Sequence, residues 1–249
     1  MDERQARQPP AARRGAKPAP RERPSGVPAT GEPRPAGGAF GAYDAGGATD
    51  RGQHRSNNED AFAVAPLTGR DGLLLVVADG LGGTHGGEVA SRTAVDTILA
   101  DLAGRPLPAD RTLRLALRRA VERAGEALDE LARQEPELAE FGTTVTAALI
   151  AGSEMWVAHV GDSRAYLWRG GRLEQLTRDH TLAERLREEG LVEARQRLPN
   201  FESVLWNALG PSGEETQVEE RHERLQPGDR LLLCSDGLTR HLEDDELLR

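Results

Sequence analysis

Several things are scarce in this 249-residue chain, and each shortage closes off a class of protein. There is one cysteine, Cys234, so no internal disulfide can form, and a reducing, cytoplasmic setting fits. That cysteine sits inside an apolar run, where it reads as a small buried hydrophobe and not as a reactive thiol. No apolar run approaches the roughly 18 residues of a membrane-spanning helix, and the first residues carry no apolar h-region of an export signal. Lysine is nearly missing too, since all basic residues except Lys17 are arginine, a bias that carries no mechanism.

Excess positive charge is also lacking. The formal net charge is −9. Residues 1–46 hold eight basic and five acidic side chains, so the remaining 203 residues carry about −12, which argues against nucleic acid as the main partner. This first segment is rich in Pro, Ala, Gly and Arg with no apolar period. Such a stretch cannot bury enough surface to offset its ordering entropy, so residues 1–46 are expected to be a disordered tail and residues 47–249 the folded domain.

Two similar stretches organise the rest. Leu73-Leu74-Leu75-Val76-Val77-Ala78-Asp79-Gly80-Leu81 is an apolar run that ends in a carboxylate and a glycine turn, and its cadence returns as Leu231-Leu232-Leu233-Cys234-Ser235-Asp236-Gly237-Leu238. A short apolar run bounded by glycine reads as a buried strand, so each copy carries one aspartate from the core to a strand exit. One Asp-Gly alone is best read as a turn. Two matched copies with further acids nearby favour a shared cation.

Arg51 to Ala65 supplies some of those acids, with Arg55, Glu59 and Asp60 ahead of the short alternating strand of Phe62 and Val64. Glu59 and Asp60 point to opposite faces if extended, so one can look towards a metal. Arg55 offers a planar fork suited to phosphate oxygens, although taken alone it reads as a surface arginine. After Asp79, Val89, Ala90, Ala94, Val95, Ile98, Leu99 and Leu102 recur at helical spacing. A second helix, capped by Asp110, carries an inward stripe from Leu113 to Leu131.

Residues 142–150 and 155–160, followed by Ala165 to Arg169 and a Gly170-Gly171 turn, read as strands joined by short turns, hence an antiparallel meander. Gly161-Asp162-Ser163-Arg164-Ala165 looks superficially like a serine-nucleophile elbow, but it lacks the final glycine and a following helix. Asp162 is therefore a third acid at a turn and a metal candidate. His159 reads as a packed strand residue. Thr181 and Glu184 have capping-box spacing, and residues 191–210 show no period and read as a flap.

In order, RSNNEDAF, VVADGLGGTHGGEVAS, GTTVTAALI, WVAHVGDSRAYLW, LTRDHT, NALG and GDRLLLCSDGL closely resemble the metal-dependent serine/threonine protein phosphatases of type 2C in their bacterial form. The resemblance covers residues from about Ala48 onward. It implies an α+β fold, a sandwich of two antiparallel β-sheets flanked by helical layers, and a signalling role among phosphorylated proteins with a serine/threonine kinase as counterpart. It also implies two Mn2+ or Mg2+ ions, with Asp79 bridging them, the Gly80 carbonyl on one and Asp236 on the other. Glu59 and Asp60 would hold water around the ions, Arg55 would grip the phosphate, and Asp162 with Asp236 would hold a third, weaker ion.

The implied reaction is hydrolysis of phosphoserine and phosphothreonine by a water bridging the ions, without a covalent intermediate. Relatives outside bacteria often have a histidine directly after the Asp-Gly, where this chain has Leu81, which leaves metal-bound water or His85 to protonate the leaving group. The family's further Asp-Asn motif is not reached before Arg249. The expectation from this is a domain incomplete at its C-terminus, its last strands missing. Its alternative function is that of a catalytically impaired, phosphatase-like binding or regulatory domain.

Overall fold

A computed structural model describes residues 36–40, 42–53, 55–82, 86–104, 106–107, 112–138, 140–194, 196–211 and 216–248. Two chain segments open it, β1 (Ala36–Phe40) and β2 (Tyr43–Gly47), paired as an antiparallel hairpin. These residues belong to the segment, 1–46, for which composition predicts a disordered tail. Main-chain pairing needs no large apolar side chain, and β2 gains an anchor where Tyr43 Oη donates to the Gly152 carbonyl at 2.5 Å. Residues 1–35 lie outside the described residues, as do His85 and the expected helix cap Asp110.

The main sheet is built from β3 (Asp60–Pro66), β4 (Gly72–Leu81), β6 (Val145–Ala151), β7 (Glu154–Val160) and β10 (Glu219–Arg224), in the order β10-β7-β6-β4-β3. The short β5 (Gly142–Thr143) extends the β4 pairing at Gly80 and Leu81. A smaller sheet has the order β11-β8-β9, from β8 (Arg164–Arg169), β9 (Arg172–Gln175) and β11 (Arg230–Cys234). All pairings are antiparallel, as the meander predicts.

Side-chain alternation divides the core in two. Leu74, Val76 and Ala78 of β4 face helices α1 (Gly86–Leu102) and α2 (Leu113–Gln134), where Ala94, Ile98, Leu117, Val121 and Leu128 complete one apolar cluster. Leu73 and Leu75 face the smaller sheet, packing with Ile150, Val157, Ala165, Leu167 and Leu233 in a second cluster. The layers are thus helices, large sheet, small sheet, an α+β sandwich. Three short helices follow: α3 (Leu182–Glu188), α4 (Asp236–Thr239) and α5 (Asp244–Leu247). Thr181 caps α3 by accepting from the Glu184 amide at 3.3 Å, in line with the spacing of the two residues. On the small sheet's outer face, Tyr166 donates to Asp244 at the start of α5.

Candidate metal centre

The two sheets share one end, and four carboxylates meet there. Asp60, first residue of β3, lies directly opposite Asp79 near the end of β4. Two residues apart share a face of a strand, so Asp79 continues the row of Leu73 and Leu75 between the sheets and is 7% exposed. Asp162 arrives on the turn between β7 and β8, and Asp236 from the small sheet, where β11 gives way to α4.

Uncharged groups fix these positions. The Asp79 amide donates to Thr144 Oγ1 at 2.9 Å, and the Asp79 carbonyl accepts from the Thr144 amide and from Thr143 Oγ1, each at 2.9 Å. Thr144 Oγ1 lies 2.8 Å from Ser163 Oγ, the neighbour of Asp162, and Thr146 Oγ1 donates to the Ser163 carbonyl at 3.0 Å. Gly161 lets that turn close, since its φ of 107° favours glycine and a Cβ there would lie 2.6 Å from Thr144 Cβ. Ser235 Oγ donates to Asp60 Oδ2 at 2.8 Å and ties the small sheet to the large one.

The carboxylates strain against one another. Burial, then the charges of Asp60 and Asp236, a hydrogen bond to Asp60 and the charge of Asp162 push the Asp79 carboxyl up to about 8. Burial, then Asp236 and Asp179 push Asp162 up to about 7, against the pull of Arg240. Asp60 is raised by burial, with Asp236 adding and the Ser235 hydrogen bond opposing. Such a set relaxes when divalent charge is added, and all-oxygen donors suit hard cations. Among the described residues, no three acidic, histidine or cysteine side chains close around a single point.

Not every expected site residue joins this group. Glu59 is engaged by Arg55, whose Nη1 donates to Glu59 Oε2 at 2.9 Å. The Glu59 carbonyl accepts from the Gly80 amide at 3.1 Å and from Ser91 Oγ at 2.6 Å, so Glu59 braces the loop against β4 and α1. Gly80 is needed for that approach, because a Cβ there would lie 2.0 Å from the Gly87 carbonyl oxygen. Arg55 is more than half exposed at the rim. His159 is buried, with Nδ1 at 2.9 Å from Thr146 Oγ1 and Nε2 at 3.0 Å from the Arg178 carbonyl, and burial, then His180, push it down to about 4. It is a packed strand residue, in agreement with its sequence context. Burial pushes the Cys234 thiol up to about 11, which leaves it inert.

The expected flap splits in two. Its end is tied down by reciprocal main-chain bonds between Leu209 and Thr143 at 2.8 and 2.9 Å, whereas Leu191, Phe201 and Val204 are exposed. Beside Leu81, a cavity of about 540 Å³ opens between Phe141 and Trp206. Four side chains at the site went unread in the sequence: the hydroxyls of Thr144, Ser163 and Ser235, and Arg240, which pairs with Asp236. Arg240 had a signal, since four residues separate it from Asp236 at the start of a helix.

Two antiparallel sheets under helical layers, with four aspartates gathered at one end, define an α+β sandwich whose site is chemically suited to divalent cations. A family model described as protein phosphatase 2C matches residues 49–249, and the chain belongs to that family. The serine/threonine protein phosphatase PstP of Mycobacterium tuberculosis is 37% identical over 201 residues, covering 80% of this chain and 37% of that protein. The serine/threonine phosphatase stp of Listeria monocytogenes is 36% identical over 203 residues, covering 80% and 79%. The chain thus spans little more than a third of the mycobacterial relative's length. A crystal structure of the PstP catalytic domain in complex with two manganese ions superposes with a TM-score of 0.68 at 38% identity, covering 80% of each chain.

Proposed function

We propose that this chain hydrolyses phosphoserine and phosphothreonine esters of proteins with two divalent cations, Mn2+ or Mg2+, held around Asp79, the Gly80 carbonyl and Asp236. The carrying observation is the convergence of Asp60, Asp79, Asp162 and Asp236 from both sheets. Bound there, the cations supply charge neutralisation and activation of water for attack on phosphorus. Asp60 and Glu59 orient water at the rim, and the hydroxyls of Thr143 and Thr144 keep Asp79 in place without competing for its charge. Arg55 exchanges Glu59 for the substrate phosphate, a bidentate match for its guanidinium.

Hydrolysis without a covalent intermediate is supported by what the possible nucleophiles near the cluster are doing. Ser163 Oγ is buried against Thr144, Ser235 Oγ is given to Asp60, and the Cys234 thiol stays protonated. Partners on this reading are phosphorylated proteins and a serine/threonine kinase, in the cytoplasm, a setting that a lone cysteine suits. Among the described residues no helix is long and apolar enough to cross a membrane.

A rival reading, a phosphatase-like domain that binds without catalysing, is favoured by the ion pair that Arg240 makes with Asp236. Phosphate release from a phosphothreonine peptide separates the two. The expected result is Mn2+-dependent release that a chelator stops and Asp79→Asn lowers by about a thousandfold or more. Release that survives chelation would refute metal-dependent hydrolysis, and Mn2+ binding without release would favour the binding domain.

A further inference from the structure

We propose that the cavity beside Leu81 is a specificity pocket for a large uncharged side chain, an aromatic one above all, two residues away from the phosphorylated residue of the substrate, an assignment that rests on the phosphatase reading above. At about 540 Å³ the cavity falls within the range of about 300–1,000 Å³ typical of ligand pockets.

Its spacing from the carboxylates is set by β4. Leu81 follows Asp79 by two residues, and the pairing of Gly80 with Thr143 and of Leu81 with Gly142 keeps this stretch extended. Positions two apart on one face of an extended chain lie about 7 Å from each other. An extended substrate backbone has the same period. With its phosphate at the aspartates, the side chain two positions along reaches the cavity, and the one between them points away.

The walls select the occupant. Leu81, Phe141, Leu205, Trp206 and Leu209 present apolar surface. Arg185 and Glu140 line the cavity too, one of each sign, so neither charge is favoured. Arg185 is already engaged, with its guanidinium 5.1 Å from the Trp206 ring centroid and its Nε 3.2 Å from Glu189 Oε1. An aromatic ring matches both the apolar walls and the indole.

These walls stand without substrate. The Trp206 amide donates to the His180 carbonyl at 3.0 Å, and the Trp206 ring lies against the His180 imidazole with centroids 5.0 Å apart. Asn207 is buried, and its side chain exchanges hydrogen bonds with the main chain of Gln217 at 2.7 and 3.2 Å. Gly142 admits the Leu209 strap, since a Cβ there would lie 2.7 Å from the Leu209 carbonyl oxygen. Little ordering cost is left to be met on binding.

Peptides with one phosphothreonine in an alanine background test this, with Mn2+ present and a single phenylalanine moved through the three positions on either side. Phenylalanine two residues from the phosphothreonine, on one side of it, is expected to raise kcat/KM about tenfold over the all-alanine peptide, chiefly through KM. Thr216→Trp, which fills the cavity from its rim, and Trp206→Ala, which removes a wall, should each bring that ratio back to about one. General damage to the fold lowers both peptides alike and leaves the ratio unchanged, so the ratio reads the pocket itself. A flat series, a preference at any other spacing, or a ratio that survives either variant would refute the pocket. Release from no peptide at all would instead overturn the phosphatase reading, and this inference with it.

Discussion

β4 and β11 are spelled almost alike, a run of leucines ending in Asp-Gly-Leu, yet the fold treats them differently. β4 lies between β3 and β6, with helices over one face and the small sheet over the other, and Leu73, Leu74, Val76 and Ala78 are all buried. β11 pairs with β8 alone among the described residues, and Leu232 is 36% exposed. The chain also leaves them in different ways. β4 continues through Gly80 into pairing with β5, whereas Asp236 begins α4. An apolar run thus reports what a strand can tolerate, and its neighbours decide how much is covered.

The sharpest contrast lies in the two glycines. A methyl at Gly80 would sit 2.0 Å from the Gly87 carbonyl oxygen and 2.7 Å from that of Glu59, both main-chain atoms that cannot swing aside. Gly80→Ala should cost about 4 kcal/mol or more. At Gly237 the nearest atom is Ser235 Oγ at 3.7 Å, so Gly237→Ala should be neutral or gain about 0.5 kcal/mol as a helical alanine. Urea midpoints check both, and equal losses would break the comparison.

Next in size are the leucines. Leu74→Ala opens a hole against α1 and α2 and should cost about 3 kcal/mol. Leu232→Ala, at the more exposed position, should stay within about 0.5 kcal/mol. The same urea series measures the pair, and a large loss at Leu232 would mean that β11 is covered in solution.

The smallest effect is a pH drift of the chelator-treated chain. Asp79 is raised from 3.8 to about 8, so the folded state holds a proton that the unfolded state has lost across that interval. Its stability contribution is full below about pH 4 and falls as pH rises through 8. His159, pushed down to about 4, works in the opposite sense but is neutral in both states above about pH 6.5. Asp162, raised to about 7, adds in the same sense at the lower end, so between pH 6.5 and 9 the melting temperature should drop by about 2–4 °C, and Asp79→Asn should remove the larger part of the slope. A rising slope would contradict the burial of the β4 carboxylate.

Much of the fold was legible because it is written in large apolar residues at a fixed period. β4, the β6-β7-β8 meander and the buried stripes of α1 and α2 fall in that class. β10 was not, since Glu219-Glu220-Arg221-His222-Glu223-Arg224 has no apolar member. Among the described residues it is an edge strand whose polar side chains find partners, Arg221 pairing with Glu174 and His222 hydrogen-bonded to Glu154. The β1–β2 hairpin, made mostly of Ala and Gly, hid for a similar reason. At the site, the aspartates could be read because a strand exit with Asp-Gly is distinctive. The hydroxyls that hold them are ordinary threonines and serines whose role depends on which strands become neighbours.

One bond has a kinetic meaning. Ser235 and Asp60 are 175 positions apart in the chain, and closing a loop of that length costs about 2 kcal/mol more than bringing Asp60 to its hairpin partner Asp79. The β3–β4 half of the cluster can therefore form while the chain is still largely open, and the Asp236 half must wait for the sheets to dock. Loop-closure entropy therefore predicts that the centre is completed late in folding, by the Ser235–Asp60 contact, and that a fraying chain loses that contact before the hairpin that carries Asp79.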